Sequence, residues 1–416
     1  MDNLLIATIL GLLILIASMV SVELGISVAI IEIALGVVAG NFLGVTSTPW
    51  IDFIAAVASI VLTFLAGAEV DPRLLRERAK EAVLIGVSSF LLPFLGAGLF
   101  AYYVAGWDLR QAEIAGVALS TTSLAVVYAV LVETGLTKTE IGKVIMAATF
   151  ITDLGTAIAL SILFIQPTPY LALFIGVSVG VIVIMTLLQR WFFDRYGDRV
   201  IEPEIKGVLF VLFLLMWTAD LAKSHAVLPA FVLGFAVSGV FRRHPEQLKR
   251  FRIVAFSLLT PFFFFKGGLN VSLDALAGSL PLLAGFLFVK IALKFVGVMP
   301  VALRYLRPHA TFTTLLMSTG LTFGTISSLY GLNAGIIDRA QFSVLVTTVI
   351  LSAIVPTFIA QRFFSPPVHE LSEEEVSLVE DEEFEPASVG EKAARGLDRG
   401  TSAKLARRAR RRARRP

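Results

Sequence analysis

Apolar residues run through this chain in long blocks separated by short polar connections. Thirteen blocks stand out, at residues 3–20, 24–43, 51–70, 82–105, 113–133, 144–165, 169–189, 206–222, 226–241, 253–271, 277–303, 309–331 and 340–361. Most are close to the roughly 20 residues that a helix needs to cross about 30 Å of hydrocarbon. Spanning strands read as alternating segments of about ten residues, whereas these blocks are continuous and about twice as long. The pattern predicts an all-α polytopic membrane protein of about thirteen transmembrane helices. No charged leader and small-residue cleavage site frames the first block, so it is expected to be a retained span.

The polar connections carry a topological signal. One alternating set of loops holds 17 Lys and Arg residues and the other holds 3, namely Arg110, Lys223 and Arg339. Cytoplasmic loops collect the positive charge. The expected orientation in the cell (inner) membrane therefore has the N-terminus outside and the C-terminus in the cytoplasm. Composition agrees: of 416 residues 56% are apolar, 16% are charged and mean hydropathy is +0.83. There is no cysteine and there are only 4 histidines, which removes disulfide and thiolate chemistry and leaves metal chemistry poorly supplied. Residues 366–416 differ from the rest, with 11 acidic side chains, concentrated early, and 11 basic ones, concentrated late. Such a tail is expected to be disordered, with its Arg-rich end against anionic lipid of the inner leaflet and no role in binding nucleic acid.

Ionisable groups at membrane depth are expensive, so each needs a reason. Asp153 lies mid-span in AATFITDLGTAIAL, with Thr149 and Thr156 one helical turn away on the same face and Thr152 directly before it. A carboxylate among hydroxyls suits a dehydrated monovalent cation, which wants hard oxygen ligands, or a proton; a carboxylate hydrogen-bonded for packing is the alternative. Lys290 lies mid-span, too deep to reach either surface, and Lys294 follows one turn on, nearer the cytoplasmic end where it can snorkel. Lys266 is either a further buried charge or an interfacial lysine escaping to the outer surface. Glu32 also sits within a span, facing a helix partner or a second copy.

Two blocks look broken. ALSTTSLAVVYAV (118–130) and LMSTGLTFGTISSL (316–329) place Ser, Thr and Gly clusters halfway along an apolar helix. Unwound backbone at that depth is tolerated only where it is buried in protein or lines a cavity. The blocks are the fifth and the twelfth of thirteen, so they enter from opposite faces, as expected of inverted repeats whose discontinuous helices meet at the midplane.

Three stretches resemble the monovalent cation:proton antiporter superfamily, in the branch of the NapA-type sodium/proton antiporters and the Kef-type systems. They are LTFLAGAEVDPRLLR (62–76), TTSLAVVYAVLVETGLTKTEIGKVIMAATFITDLGTAIAL (121–160) and HAVLPAFVLGFAVS (225–238). The resemblance implies an NhaA/NapA-like fold of two six-helix repeats. It further implies a transport bundle (about 82–165 and 277–361) that moves like an elevator and a bundle (about 3–70 and 206–271) that forms a homodimer. It maps the ion-binding aspartate onto Asp153, the basic residue of the tenth core helix onto Lys290, and the unwound segments onto Thr121, Thr122 and Ser123 and onto Ser318 to Thr325, including Thr319 and Thr322. The activity implied is exchange of Na⁺, or of Li⁺ or K⁺, for protons, without a cofactor and without a nucleotide-binding regulatory domain. Two departures are plain: the usual acidic, Asn or Gln neighbour of the aspartate is Thr152 here, and the second crossing segment, STGLTFGT, lacks charge. Other classes fit less well. A sodium-coupled organic-anion symporter needs a larger polar cavity, a channel would not exchange saturably, and a membrane hydrolase lacks paired carboxylates, HExxH and GxSxG.

Overall fold

A computed structural model describes residues 2–24, 27–70, 78–134, 136, 139–165, 167–196 and 201–366. The acidic-then-basic tail expected beyond Pro366 lies outside the described residues. All regular structure among those residues is helical, as backbone in lipid requires. In chain order the helices are α1 (Asn3–Leu24), α2 (Val28–Phe42), α3 (Pro49–Ala68), α4 (Ala79–Tyr103), α5 (Leu109–Ser120), α6 (Leu124–Glu133), α7 (Glu140–Leu163), α8 (Leu171–Tyr196) and α9 (Pro203–Leu221). They continue as α10 (Val227–Phe241), α11 (Pro245–Val254), α12 (Thr260–Leu269), α13 (Leu273–Ala277), α14 (Leu280–Tyr305), α15 (Ala310–Met317), α16 (Thr322–Asn333) and α17 (Arg339–Phe363).

Each of the thirteen predicted spans coincides with a helix or with a consecutive pair of helices. Eight helices are long and apolar enough to cross a membrane alone, and α2 and α10 are shorter apolar helices. The tenth span is α11 and α12 joined through a π turn at Ala255–Leu259, and it begins earlier than its apolar block because charged residues occupy its first turns. The fifth span is α5 with α6, and the twelfth is α15 with α16.

Cross-helix contacts join ends that the loop alternation assigns to one face. Arg78 pairs with Glu140 at 3.0 Å, Arg250 with Glu202 at 3.1 Å and Arg252 with Glu69 at 2.7 Å, all at the Lys/Arg-rich face. At the opposite face Asp108 and Asp338 close capping boxes on Gln111 and Gln341 at the starts of α5 and α17. Gln341 donates across to Gln111 Oε1 at 3.0 Å, so two orphaned helix starts are satisfied and tied together.

Between helices in lipid there is little hydrophobic drive, and close packing has to replace it. The third span packs along the ninth, α3 on α10, and the tenth packs along the second, α12 on α2. A shift of seven spans carries the second onto the ninth and the third onto the tenth, so the third–ninth pair corresponds to the tenth–second pair. Glycines make both contacts. A Cβ at Gly67 would overlap the carbonyl of Phe231 and one at Gly234 that of Phe64, while Gly36 and Gly268 meet backbone to backbone in the other pair. The fourth span packs on the fifth and sixth and the eleventh on the twelfth and thirteenth, with α4 and α14 touching each other. This is the inverted-repeat relation. One group of helices, α4 to α7 and α14 to α17, thus surrounds the two broken spans, with α2, α3, α10 and α12 beside it.

Because the glycine contacts are backbone to backbone, no rotamer change can relieve an added methyl. Gly234→Ala and Gly268→Ala are each expected to lower stability by about 1–3 kcal/mol. Gly180→Ala on α8, where nothing lies within 4 Å of the new Cβ, should leave it unchanged. Thermal unfolding of the three variants in detergent checks this.

Candidate functional site

The two broken spans cross and hold each other by hydrogen bonds. α5 stops at Ser120, Thr121 turns extended, and α6 restarts at Leu124; α15 stops at Met317 and α16 restarts at Thr322. Each break leaves carbonyls free at one half-helix end and N–H groups free at the other, with partial negative and positive charge respectively. Thr122 Oγ1 donates to the Met317 carbonyl at 2.9 Å, and the Ser123 N–H donates to Thr319 Oγ1 at 3.4 Å.

Two lysines of α14 occupy the carbonyl end of α5. Lys294 Nζ donates to the Ser120 carbonyl at 2.8 Å, to Ser89 Oγ of α4 at 2.8 Å and to Thr122 Oγ1 at 2.9 Å, which uses all three of its hydrogens. Lys290 Nζ makes a longer contact, 3.5 Å, to the Thr121 carbonyl. Both side chains are fully buried. A cation at a helix C-terminus is favourable, and here the water that would otherwise screen it is excluded.

Asp153 enters from α7. It is buried, and its Oδ1 has no hydrogen-bond partner. Lys294 is within electrostatic reach of it and of Lys290. The neighbouring threonines are buried too. Thr149 Oγ1 donates to the Ile145 carbonyl at 2.9 Å, Thr152 Oγ1 to that of Ala148 at 3.0 Å and Thr156 Oγ1 to that of Thr152 at 3.0 Å. With each hydroxyl hydrogen directed at the backbone, the oxygen lone pairs remain available as ligands. No group of three or more His, Cys, Asp or Glu side chains suited to a metal ion occurs among the described residues. One carboxylate with neutral oxygens matches a monovalent cation or a proton better than a divalent ion.

Two cavities approach from opposite faces. One, of about 210 Å³, is lined by Glu69, Tyr128, Met146, Phe150 and Arg252, on the Lys/Arg-rich face. The other, of about 230 Å³, is lined by residues that include Ser59, Asp220, His225, Lys266 and Ile326. Aromatic rings bridge the gap: Phe150 stacks on Phe231 at 5.1 Å and contacts Phe235 at 5.3 Å, and Phe231 meets Phe323 edge-on at 6.0 Å. Phe150 lines the first cavity, and Phe323 is one turn from Ile326 in the second.

A sequence model described as "Sodium/hydrogen exchanger, transmembrane" matches residues 9–365. The chain belongs to this exchanger family. Among the relatives of this exchanger is the probable Na(+)/H(+) antiporter 3 of Methanocaldococcus jannaschii, 27% identical over 358 residues that cover 81% of this chain and 89% of the relative. The Na(+)/H(+)-K(+) antiporter GerN of Bacillus cereus is 24% identical over 355 residues, covering 80% and 89%. In fold the exchanger is similar to the sodium proton antiporter MjNhaP1 of M. jannaschii, with a TM-score of 0.68 at 15% identity, over 88% of this chain and all of that one. It is therefore a multi-pass membrane protein of a transporter family, not of an enzyme family.

The structure of the exchanger sorts the residues singled out in its sequence. Asp153, Thr149, Thr152 and Thr156 share one buried helix segment, and Thr121, Thr122, Ser123, Ser318 and Thr319 lie in the two breaks. The second break is shorter than expected: Thr322 and Thr325 already belong to α16, where Thr325 Oγ1 donates to the Leu321 carbonyl at 2.8 Å. Lys294 does not snorkel, because the broken α5 offers it acceptors inside the protein. Lys266 is neither free nor at the crossing; it pairs with Asp52 Oδ1 at 2.8 Å. Glu32 is buried with Oε2 unpartnered, on α2 rather than on the helices of the crossing. Sequence reasoning missed Ser89, the second of two serines in an apolar run, and the backbone carbonyl of Ser120 at the edge of the first polar cluster, both of which become visible only once Lys294 reaches them. It also missed Gly320, where a Cβ would overlap Lys290 Nζ and lie 2.9 Å from Thr121 Oγ1.

If Lys294 offsets both the α5 carbonyl end and Asp153, then Lys294→Met should lower stability by about 3–5 kcal/mol, the usual result of removing one partner from a buried charge pair. Asp153→Asn added to it should restore part of the loss, because an amide needs no counter-charge. A double-mutant cycle by denaturant unfolding in detergent reads the coupling.

Proposed function

We propose that this chain exchanges a monovalent cation, Na⁺ foremost and Li⁺ or K⁺ as alternatives, for protons, with Asp153 as the carboxylate that the two share. The observation that carries the reading is the buried, unpartnered Oδ1 of Asp153 beside three threonines whose hydroxyl hydrogens are already committed. A dehydrated cation needs several oxygens, and the carboxylate, the threonine oxygens and the carbonyls freed at the helix breaks are oxygens of the right hardness. In the empty ionised state, the Lys294 ammonium offsets the carboxylate. Protonation neutralises Asp153 and dismisses the cation; cation binding neutralises it in another way. In either loaded state the added charge balances the acid, which lowers the penalty for moving the site through a low-dielectric medium.

Alternating access follows if the bundle around the crossing slides against the bundle containing α3, α10 and α12. The support is chemical: where α7 and α16 face α10, the contacts are phenylalanine rings, which can shift without breaking hydrogen bonds. The same rings keep water from linking the two cavities in any one state. The Lys/Arg bias of the loops supports an outside N-terminus and a cytoplasmic C-terminus in the inner membrane. The family resemblance supports a homodimer through the second bundle.

Two outcomes are expected in proteoliposomes with a pH-sensitive dye. Asp153→Asn should abolish Na⁺-driven proton movement while the protein stays monodisperse in detergent; retained exchange would sink the model. In the native protein, competition for one carboxylate requires the apparent affinity for Na⁺ to rise with pH, by up to about tenfold per unit where protons still occupy the site. A half-saturation concentration that is flat with pH would mean that the two ions bind at separate places.

A further inference from the structure

We propose that the cavity between α3, α9, α12 and α16 is an outer capture site for the hydrated cation, with Asp220 as its charged group. The inference rests on the antiport reading above and adds a second cation site, on the side opposite the Lys/Arg-rich face.

The charges of the cavity decide its sign. Lys266 lines it, but its ammonium is bound to Asp52 at 2.8 Å and the residue is only 5% exposed. Its charge is therefore compensated. His225, in the loop between α9 and α10, stands edge-on to Tyr330 with ring centroids 4.0 Å apart. Burial pushes its pKa down to about 4, so it is neutral at ordinary pH. Asp220 has no ion-pair partner among the described residues and is exposed at the cavity wall. Lys223, in the following loop, is exposed and does not line the cavity. One uncompensated negative charge remains.

Two independent features add to it. α9 ends at Leu221 and α16 at Asn333, so two helix C-termini, with their partial negative charge, border the same space. The lining also offers neutral oxygens from Ser59, Ser224, Tyr330 and Asn333. A volume of about 230 Å³ accommodates about seven waters at roughly 30 Å³ each, enough for an ion that keeps its hydration shell. A cleft of one sign concentrates counter-ions and speeds their capture, an effect that salt screens. Dehydration is left to Asp153, beyond the phenylalanine barrier.

The test is sided cation-driven proton flux in oriented membrane vesicles, with Na⁺ presented at the face that carries the α9–α10 loop. At low ionic strength Asp220→Asn should raise the half-saturation concentration of Na⁺ by about threefold or more, with the maximal rate retained. Asp52→Asn, which frees the Lys266 charge, should act in the same direction, and Lys266→Gln in the opposite one. An impermeant salt should erase these differences, and Na⁺ presented at the other face should not show them. Exchange that is intact but shows an unchanged half-saturation in Asp220→Asn, or a difference insensitive to salt, overturns the capture site and leaves the antiport reading standing. Absence of exchange by the native protein overturns both.

Discussion

Most of the site follows from one requirement, that charge inside a membrane protein be balanced nearby. Breaking α5 at Ser120 exposes carbonyls in a place without water, and Lys294 is what balances them: its three hydrogens go to Ser120, Ser89 and Thr122. That ammonium is also within electrostatic reach of Asp153, whose Oδ1 is buried without a hydrogen-bond partner. Remove the break and the lysine loses its acceptors; remove the lysine and the break has unsatisfied carbonyls beside an uncompensated acid. The crossing, the lysines and the aspartate are thus one electrostatic unit, and the threonines, bonded to their own helix, supply polarity without adding charge.

The surroundings of that unit are built for separation. Phenylalanines of α7, α10 and α16 meet ring against ring between the linings of the two cavities. Glycines fasten α3 to α10 and α2 to α12 at distances that only backbone can reach. A tight, side-chain-poor seam on one side and a soft aromatic boundary on the other give the two helix groups different freedom.

The sequence was most legible where lipid imposes a single rule. Length and continuity of apolar runs located every span, and hydroxyl clusters at Thr121–Ser123 and Ser318–Thr319 marked both breaks, because polar backbone at that depth needs polar company. The family resemblance extends the second break to Thr325, but Thr322 and Thr325 already belong to α16, and the Thr325 hydroxyl donates to the Leu321 carbonyl one turn back, as threonine commonly does in helices. The lysines were harder. Depth along a span lets Lys294 snorkel toward the surface, but what a lysine does is set by acceptors on other helices, and the Ser120 carbonyl is invisible until the chain is folded. Lys266 was ambiguous for the same reason, since Asp52 is far from it in sequence.

The glycine seam between α2 and α12 bears on how the protein is made. Asn41 at the end of α2 donates to the carbonyl of Val271, 230 positions along the chain, and Gly36 lies against Gly268. During synthesis α2 must wait in the bilayer, its bare glycine groove facing lipid, until eight further spans have been inserted. The seam is thus a late contact of the fold, closed only when the tenth span has joined the bundle.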